Sequence, residues 1–368
     1  MSWAVWITGL PGSGKSMIAR AAGAAIRARG HDVSIVELDE MRRLVTPSPT
    51  YGDAERDLVY RGLVYVAATL LNAGVPVIID ATGHRREWRD LARAMLPAFA
   101  EVQLLCPLDV CRDRERARLP GNAPVGIYAR AGTAGARVPG VDVLYEQAAL
   151  PELTIDTTRE TPGAAAARIA DLAAKFPLPQ RRVARSHWAV WITGLPGSGK
   201  TTIARHVAEA LQARGVAAQV LDFVDVRDFL CRGAVTPLGE EIAHRVLVYA
   251  AKRLTEAGVA AIVDATAPAR RWRDLARSLI ERFAEVQLVC PESICATRER
   301  AVRWRLIGCV NDVSPRRSAS RPDIVLAYEH AVNPELIIHT HVEDRWSAVD
   351  SVLRLTARLQ ADERARLA

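Results

Sequence analysis

The stretch that decides the fold is WAVWITGLPGSGKS at residues 3–16, and it returns almost unchanged as WAVWITGLPGSGKT at residues 188–201. Each copy begins with an apolar run of strand character and continues into a loop that fits the pattern GxxxxGK[ST]. Such a loop lets backbone amides converge on phosphate oxygens, and the helix that follows adds the positive end of its dipole. The sequence therefore predicts two phosphate-binding loops in one chain.

The last residues of each loop carry the expected chemistry. The ammonium group of Lys15 or Lys200 would reach the β- and γ-phosphates, and the hydroxyl group of Ser16 or Thr201 would ligate Mg²⁺. The predicted nucleotide-binding positions are Gly9, Leu10, Pro11, Gly12, Ser13, Gly14, Lys15 and Ser16 in the first loop and Gly194, Leu195, Pro196, Gly197, Ser198, Gly199, Lys200 and Thr201 in the second.

Lysine is rare in this chain, and its use singles out the two loops. Among 49 basic residues only four are lysine, namely Lys15, Lys175, Lys200 and Lys252. A compact ammonium group fits between phosphates where a planar guanidinium does not. We therefore expect both loops to bind phosphate; the alternative is that the second loop is a non-functional remnant.

The whole chain is an internal duplication. LVYRGLVYVAATLLNAGVPVIIDAT (58–82) aligns with IAHRVLVYAAKRLTEAGVAAIVDAT (242–266). Short apolar strands alternate with helices in each copy, an order typical of a parallel sheet covered on both faces. We predict an α/β protein with two tandem P-loop NTPase domains, 1–177 and 188–368, joined by a linker at 178–187.

Composition narrows the classes of function. The formal net charge is +7, but acidic residues stand between the basic ones, as in RDRERAR at 112–118, which favours solvated helix faces over a nucleic-acid surface. No apolar run is long enough to span a membrane, and no basic leader precedes the first strand. The six cysteines form no CxxC pair, so free thiols in a reducing cytoplasm are expected.

Carboxylates follow the predicted second and third strands, at the strand ends that face the ligand crevice of an α/β sheet. Asp39 could orient or deprotonate an acceptor hydroxyl while Arg42 holds an anionic group; the alternative is a helix-capping Asp beside an exposed Arg. Asp80 and Asp264 end the third strands. They are candidates for holding Mg²⁺ through water, and a strand-end cap is the alternative.

Each half resembles the adenylylsulfate (APS) kinase family of small P-loop kinases over nearly its whole length. ELDEMR, ending at Arg42, is similar to the family's D-G-D-N-x-R, which implies that Asp39 is the base-like carboxylate. CPLDVCRDRE resembles T-P-L-x-V-C-x-x-R-D and implies that Arg114 lies beside the nucleotide. GIYARAG resembles the lid motif and implies that Arg130 neutralises the transferring phosphate. The resemblance implies these substrate-side arginines in the first copy: Arg42, Arg56, Arg61 and Arg86.

The first copy departs from the family at five positions that the resemblance makes important. The family's lid lysine is replaced, as are two phenylalanines, a serine and an asparagine. The residues that stand there are Val125, Ala81, Val138, Gly83 and Val59. The aromatic and amide positions grip the adenylyl group in the family, so their joint loss predicts an acceptor other than APS.

The second copy departs further. Val224 takes the place of Asp39, which leaves Asp222 or Asp225 as a substitute base, and Glu240 replaces Arg56. Its lid is rebuilt as RWRLIGCVNDVSPRRSASRPD (303–323). The arginines that still match the family are Arg227 and Arg245 on the substrate side, Arg298 beside the nucleotide, and Arg270 and Arg273, which with Pro268 keep the family pattern S-P-x-R-x-x-R.

These features predict a cytoplasmic, ATP- and Mg²⁺-dependent kinase that phosphorylates a hydroxyl group of a small molecule. The expected catalytic residues are Lys15, Asp39, Arg42, Arg130, Lys200 and Asp222. A polynucleotide or nucleotide end kinase is a less favoured alternative, since aromatic residues for base stacking are sparse. A third possibility is one active domain with a regulatory pseudokinase partner. The family's dimers imply an internal pseudo-dimer or a homodimer.

Overall fold

The structure, a computed structural model, describes four stretches of the chain: residues 2–118, 124–177, 187–308 and 327–367. The chain divides into two compact units, Met1–Arg181 and Arg182–Ala368. Residues 178–186 of the predicted linker and residues 309–323 of the predicted second lid lie outside the described residues.

The first unit is a parallel sheet with helices on both faces. Its described elements, in chain order, are β1 (Ala4–Thr8), α1 (Lys15–Ala28), β2 (Ser34–Glu37), α2 (Leu38–Val45), α3 (Asp53–Asn72), β3 (Val77–Asp80), α4 (Arg86–Met95), β4 (Phe99–Leu105), α5 (Leu108–Arg116), β5 (Leu153–Asp156) and α6 (Pro162–Ala173). The strand order is β2-β3-β1-β4-β5, and every neighbouring pair is parallel. The central strand, β1, therefore delivers the first loop to the middle of the sheet edge.

Burial on both faces explains why β1 is apolar from Ala4 to Ile7. Val5 and Ile7 belong to the core formed with α1 and α6, whereas Trp6 points to the opposite face and stacks near Tyr60 of α3, with ring centroids 6.4 Å apart. Alternate residues of a strand face opposite sides of the sheet. Helices cover both sides here, so every side chain of β1 faces a helix layer. The alanine-rich helix α1 packs closely on the sheet because its inward side chains are small.

The second unit repeats this architecture. Its described elements are β6 (Trp188–Thr193), α7 (Lys200–Ala213), β7 (Ala218–Asp222), α8 (Phe223–Cys231), α9 (Pro237–Glu256), β8 (Ala260–Asp264), α10 (Arg271–Leu279), β9 (Arg282–Val289), α11 (Glu292–Gly308), β10 (Leu336–His339) and α12 (Arg345–Leu367). The order β7-β8-β6-β9-β10 is that of the first sheet, again all parallel. Two parallel five-stranded sheets flanked by helices confirm the predicted fold class.

The topology gathers the site residues of each unit at one edge. The loops that follow the first three strands of a parallel sheet all leave from its carboxyl edge, which is where ligands bind in such folds. None of the described helices combines the length and the apolar character that a membrane crossing requires.

Candidate active site

The first loop wraps around the ammonium group of its own lysine. Lys15 Nζ donates hydrogen bonds to the carbonyl oxygens of Gly9 and Leu10, at 3.1 and 3.0 Å. Gly14 caps α1 with a left-handed backbone, φ 98°, and the helix begins at Lys15. The second loop has the same arrangement, with Lys200 Nζ 3.0 Å from the carbonyl oxygens of Gly194 and Leu195. Both loops thus hold a cation at the N-terminus of a helix.

Each loop rests against the start of the helix that follows the fourth strand. A Cβ atom added to Gly12 would lie 2.3 Å from the carbonyl oxygen of Cys111, and one added to Gly197 would lie 2.3 Å from that of Cys295. Both glycines also have a left-handed φ, near 80°. Only glycine fits such a backbone-to-backbone approach without displacement. This packing fixes the height of the loop above the sheet.

Two carboxylates face Lys15 across the first site. Burial raises the pKa of Asp80 to about 6, and the charge of Lys15 offsets part of that rise. Burial also raises the pKa of Asp39, opposed by Lys15 and Arg42. Burial in turn lowers the pKa of Lys15, although the charges of Asp80 and Asp39 act in the other direction. The three groups therefore form one electrostatic unit at the edge of the sheet.

The oxygen atoms needed for Mg²⁺ lie beside each lysine. The hydroxyl of Ser16 lies near enough to Asp80 to lower the pKa of its carboxyl group, and the hydroxyl of Thr201 acts in the same way on Asp264. Asp264 Oδ2 is buried and has no hydrogen-bond partner among the described residues. No group of three or more His, Cys, Asp or Glu side chains that could hold a metal was found in the described part of the chain. A hydroxyl and a carboxylate suit Mg²⁺, which keeps several waters and binds substrate phosphates.

Two buried arginines, Arg42 and Arg56, lie on the side of the first site that is predicted to hold the acceptor. Arg42 Nη1 lies 3.3 Å from Glu55 Oε1, and its guanidinium lies over the ring of Tyr51, 5.3 Å from the centroid. Arg56 Nη1 lies 3.3 Å from His84 Nε2. Burial lowers the pKa of His84 to about 3, so the imidazole is neutral and its Nε2 accepts from Arg56. The arginines are held in place by these partners.

The described lid of the first unit, residues 124–142, is fastened at several points. Tyr128 Oη donates to the carbonyl oxygen of Pro11 in the phosphate loop, at 2.8 Å. Arg56 Nη2 donates to the carbonyl oxygen of Arg137, at 2.7 Å, and Arg137 pairs with Asp53 at 2.6 Å. The lid therefore contacts both the nucleotide loop and the acceptor side.

These elements enclose a cavity of about 860 Å³ in the first unit. The sequence-predicted residues that line it are Pro11, Gly12, Gly14, Lys15, Ser16, Asp39, Arg42, Arg56, Asp80, Arg114 and Arg130. Arg61 and Arg86 are not among its lining residues: Arg61 is buried on another face of α3, and Arg86 is exposed and pairs with Asp90. A substrate-side role for these two arginines stays a prediction.

Arg114 and Arg298, the arginines predicted to lie beside the nucleotide, each bind the threonine that follows the fifth strand of their unit. Arg114 donates to the hydroxyl and the carbonyl oxygen of Thr157, at 2.9 and 2.8 Å. Arg298 makes the same two contacts with Thr340, at 3.4 and 2.7 Å. Each guanidinium thus ties the helix after the fourth strand to the loop after the fifth.

A sequence profile described as adenylylsulphate kinase matches residues 1–156 and 186–305, which together make up most of the chain. The chain belongs to the adenylylsulphate kinase family. It is therefore a P-loop phosphotransferase present as two tandem copies, and ATP with Mg²⁺ serves as its phosphoryl donor.

Several members of the adenylylsulphate kinase family are similar to single halves of this chain. A probable adenylyl-sulfate kinase of Archaeoglobus fulgidus is 31% identical over 160 residues, 43% of this chain and 98% of the relative. An adenylyl-sulfate kinase of Geotalea uraniireducens is 37% identical over 159 residues, 42% of this chain and 72% of the relative. The structure of the Mycobacterium tuberculosis APS kinase CysC in complex with AMPPNP and APS is 28% identical, covers 47% of this chain and 98% of that chain, and superposes with a TM-score of 0.41.

The second copy of the adenylylsulphate kinase fold keeps the loop but not the acceptor side. The carboxylate of Asp222 accepts a hydrogen bond from the Val224 amide at 2.8 Å and so caps α8. Val224 stands where the first copy has Asp39. Arg227 pairs with Asp228 at 3.1 Å, and Arg245 pairs with Glu241 at 3.2 Å. The role of Asp222 as a substitute base stays a prediction, with its carboxylate already engaged in capping.

Sequence reasoning missed several residues that line the first cavity. His84, Tyr51, Tyr60 and Arg137 lie there, and none was singled out from the sequence. His84 directly follows Gly83, where the first copy departs from the family's serine, so that departure was the available signal. Tyr51 has a left-handed backbone, φ 55°, which no local pattern indicated.

Proposed function

We propose that the first domain transfers the γ-phosphoryl group of ATP to a hydroxyl group of a small anionic acceptor other than APS. The observation that supports this proposal is the enclosure of Lys15, Asp39, Arg42 and Arg56 in one cavity. Phosphoryl transfer depends mainly on positioning and on neutralising charge, and these side chains supply both.

Each residue has a distinct part in this proposal. Lys15 would neutralise the β- and γ-phosphate oxygens, and bound Mg²⁺, held by Ser16 and Asp80, would supply further positive charge there. Asp39 would accept the proton of the acceptor hydroxyl. Burial raises the pKa of Asp39, so its carboxylate accepts a proton more readily than an exposed aspartate does. Arg130, an exposed lid residue that lines the cavity, would approach the transferring group when the lid closes.

The anionic nature of the acceptor is inferred from Arg42 and Arg56. Both guanidiniums are buried on the acceptor side, 8% and 7% exposed, and guanidinium groups bind phosphate, sulfate and carboxylate well. The proposal that the acceptor is not APS rests on the small aliphatic side chains of Ala81 and Val138. Both line the cavity at positions where the family has phenylalanine, so they offer no aromatic face for an adenine ring.

The test is a screen of ATP consumption with hydroxylated metabolites, APS among them, by the full chain and by the Lys15→Ala and Lys200→Ala variants. We expect Lys15→Ala to abolish turnover with the preferred acceptor and Lys200→Ala to retain it. The opposite pattern would assign transfer to the second domain. A higher kcat/KM for APS than for every other acceptor would refute the acceptor proposal while leaving the kinase proposal intact.

An oligonucleotide with a 5′-hydroxyl belongs in the same screen. Phosphorylation of that oligonucleotide, with an affinity that falls steeply as salt increases, would favour the end-kinase alternative.

A further inference from the structure

On the acceptor side, a tyrosine of the first domain is replaced by a histidine in the second. In the first domain the ring of Tyr60 stacks on Trp88, with centroids 4.0 Å apart, and its hydroxyl accepts a hydrogen bond from the Gly83 amide at 3.0 Å. His244 stands at the equivalent position of α9 and stacks on Trp272 in the same way, at 5.0 Å with an interplanar angle of 11°. The ring of Phe223 also stacks on the imidazole, with centroids 4.0 Å apart. The imidazole is shorter than a phenol, so it does not reach the place that the tyrosine hydroxyl takes in the first domain.

Two unsatisfied polar groups border that place. His244 is 2% exposed, and its Nδ1 donates to the carbonyl oxygen of Glu240 at 2.9 Å, so Nε2 is an acceptor. Nε2 has no hydrogen-bond partner among the described residues. Ala267 aligns with Gly83, is 1% exposed, and its amide likewise finds no partner in the described part of the chain. A buried orphan acceptor and a buried orphan donor are each costly unless something binds them.

A hydroxyl group satisfies both requirements at once. It can donate to an imidazole nitrogen and accept from an amide, and the Tyr60 hydroxyl already accepts from the corresponding amide in the first domain. An ionised carboxylate or sulfate has no proton to donate to His244 Nε2, and a phosphate has one only while it is partly protonated. The orphan pair therefore selects a hydroxyl group over a fully ionised acidic group.

The charge of this side has also changed. Glu240 replaces Arg56, so a buried donor of hydrogen bonds becomes an acceptor. Glu240 Oε1 lies 4.0 Å from His244 Nδ1, so the carboxylate lies next to the same imidazole ring. The positive charge of Arg227, which also pairs with Asp228, offsets part of the negative charge of Glu240. Val224 replaces Asp39, so no base faces the ligand at that position.

We propose that the acceptor side of the second domain binds an uncharged polyhydroxylated compound, with one hydroxyl between His244 Nε2 and the Ala267 amide and another donating to Glu240. The proposal rests on the proposed function only in taking the acceptor sides of the two copies as equivalent. It concerns binding and includes no phosphoryl transfer by this domain.

The experiment is isothermal titration calorimetry of the full chain with glycerol, myo-inositol and D-glucose, in the presence of Mg²⁺ and AMPPNP. We expect at least one of these probes to bind, and D-glucose 6-phosphate to bind this site more weakly than D-glucose does. His244→Tyr and Glu240→Arg install the residues of the first domain. Each should weaken binding by on the order of tenfold or more, because each removes a buried hydrogen bond. Glu241→Arg, on the neighbour of Glu240 whose side chain is more exposed (45% against 24%), is the matched charge control and should leave the affinity within about twofold of wild type.

Several results would overturn the proposal. These are no heat with any uncharged probe at millimolar concentration, equal binding in both variants, or tighter binding of D-glucose 6-phosphate that Glu240→Arg strengthens. A rise in thermal stability of His244→Tyr without any binding of the probes to wild type would assign the place to a water molecule alone and also overturn it. If His244→Tyr fails to fold, His244→Phe and Glu240→Gln give the same comparison. Because calorimetry needs no turnover, failure of the first domain as a kinase would not alter this result.

Discussion

Replacing Gly12 by alanine tests whether contact with α5 sets the position of the first phosphate loop. An added Cβ would lie 2.3 Å from the carbonyl oxygen of Cys111, at a φ of 82°. The left-handed backbone alone costs an alanine about 1–2 kcal/mol. Relieving a contact of this kind adds about 1–3 kcal/mol, since a backbone atom must move. We expect the first unit to lose about 2–5 kcal/mol in total, the sum of these two contributions.

Gly30→Ala is the matched control for this substitution. Its φ is 84°, and an added Cβ would meet nothing within 4 Å, so only the backbone strain remains. Thermal unfolding without nucleotide gives the comparison, at roughly 2–4 °C for each kcal/mol in a domain of this size. The Tm should fall at least about twice as far in Gly12→Ala as in Gly30→Ala. ATP affinity is measured by calorimetry in a Lys200→Ala background, so that the first loop alone is observed. It should fall by about tenfold or more only in Gly12→Ala, because the amides that contact phosphate move with the loop. Equal shifts in Tm together with unchanged affinity would refute the argument that contact with Cys111 fixes the loop.

Three further predictions concern single side chains of the first domain. Asp39→Asn should lower kcat by about 10²–10⁴-fold and leave the Kd for ATP unchanged; a wild-type kcat would remove Asp39 as the base. Burial raises the pKa of Asp80 from an ordinary value of 3.8 to about 6. Between pH 3.8 and about pH 6, the folded domain therefore keeps a proton on Asp80 that the unfolded chain has released. In metal-free buffer, wild type should therefore lose stability relative to Asp80→Asn as the pH rises from about 4 to about 6, and a difference independent of pH would contradict this assignment. Arg89→Leu should cost about 3–5 kcal/mol in chemical denaturation, because it leaves the buried carboxylate of Glu101, now 2.6 Å from Arg89 Nε, without its main partner; a loss below about 1 kcal/mol would show that Arg93 suffices.

The fold was predictable because its signals are local. The apolar runs of β1 and β6 can be stable only between two helix layers, and the glycine-rich loop after each requires a strand before it and a helix behind it. Because the second half of the sequence repeats the first, the same signals predict the fold of both domains. None of these inferences needed the position of a distant residue.

The acceptor side was less predictable because it depends on which face of a helix each residue occupies. Arg56 and Tyr60 are four residues apart on α3 and therefore share the face that lines the cavity. Arg61 is one residue further along, so it points about 100° away, which a motif match does not reveal. Arg86 begins α4 and pairs with Asp90 on the surface. The spacing of a motif along the sequence therefore does not specify which of its residues line the cavity, because that depends on the rotation around the helix axis.

Arg56 touches the acceptor pocket with one half of its guanidinium and the lid with the other, through His84 Nε2 and the carbonyl oxygen of Arg137. Under the proposed function, an acceptor that engages Arg56 therefore changes the free energy of lid closure, and lid closure changes the affinity for the acceptor. Tyr128 extends the same lid to the phosphate loop. Such linkage is reciprocal, so nucleotide and acceptor would raise or lower each other's affinity by the same factor. The order in which the two ligands bind, and the rate at which the products leave, would then depend on one side chain that takes no part in the chemistry.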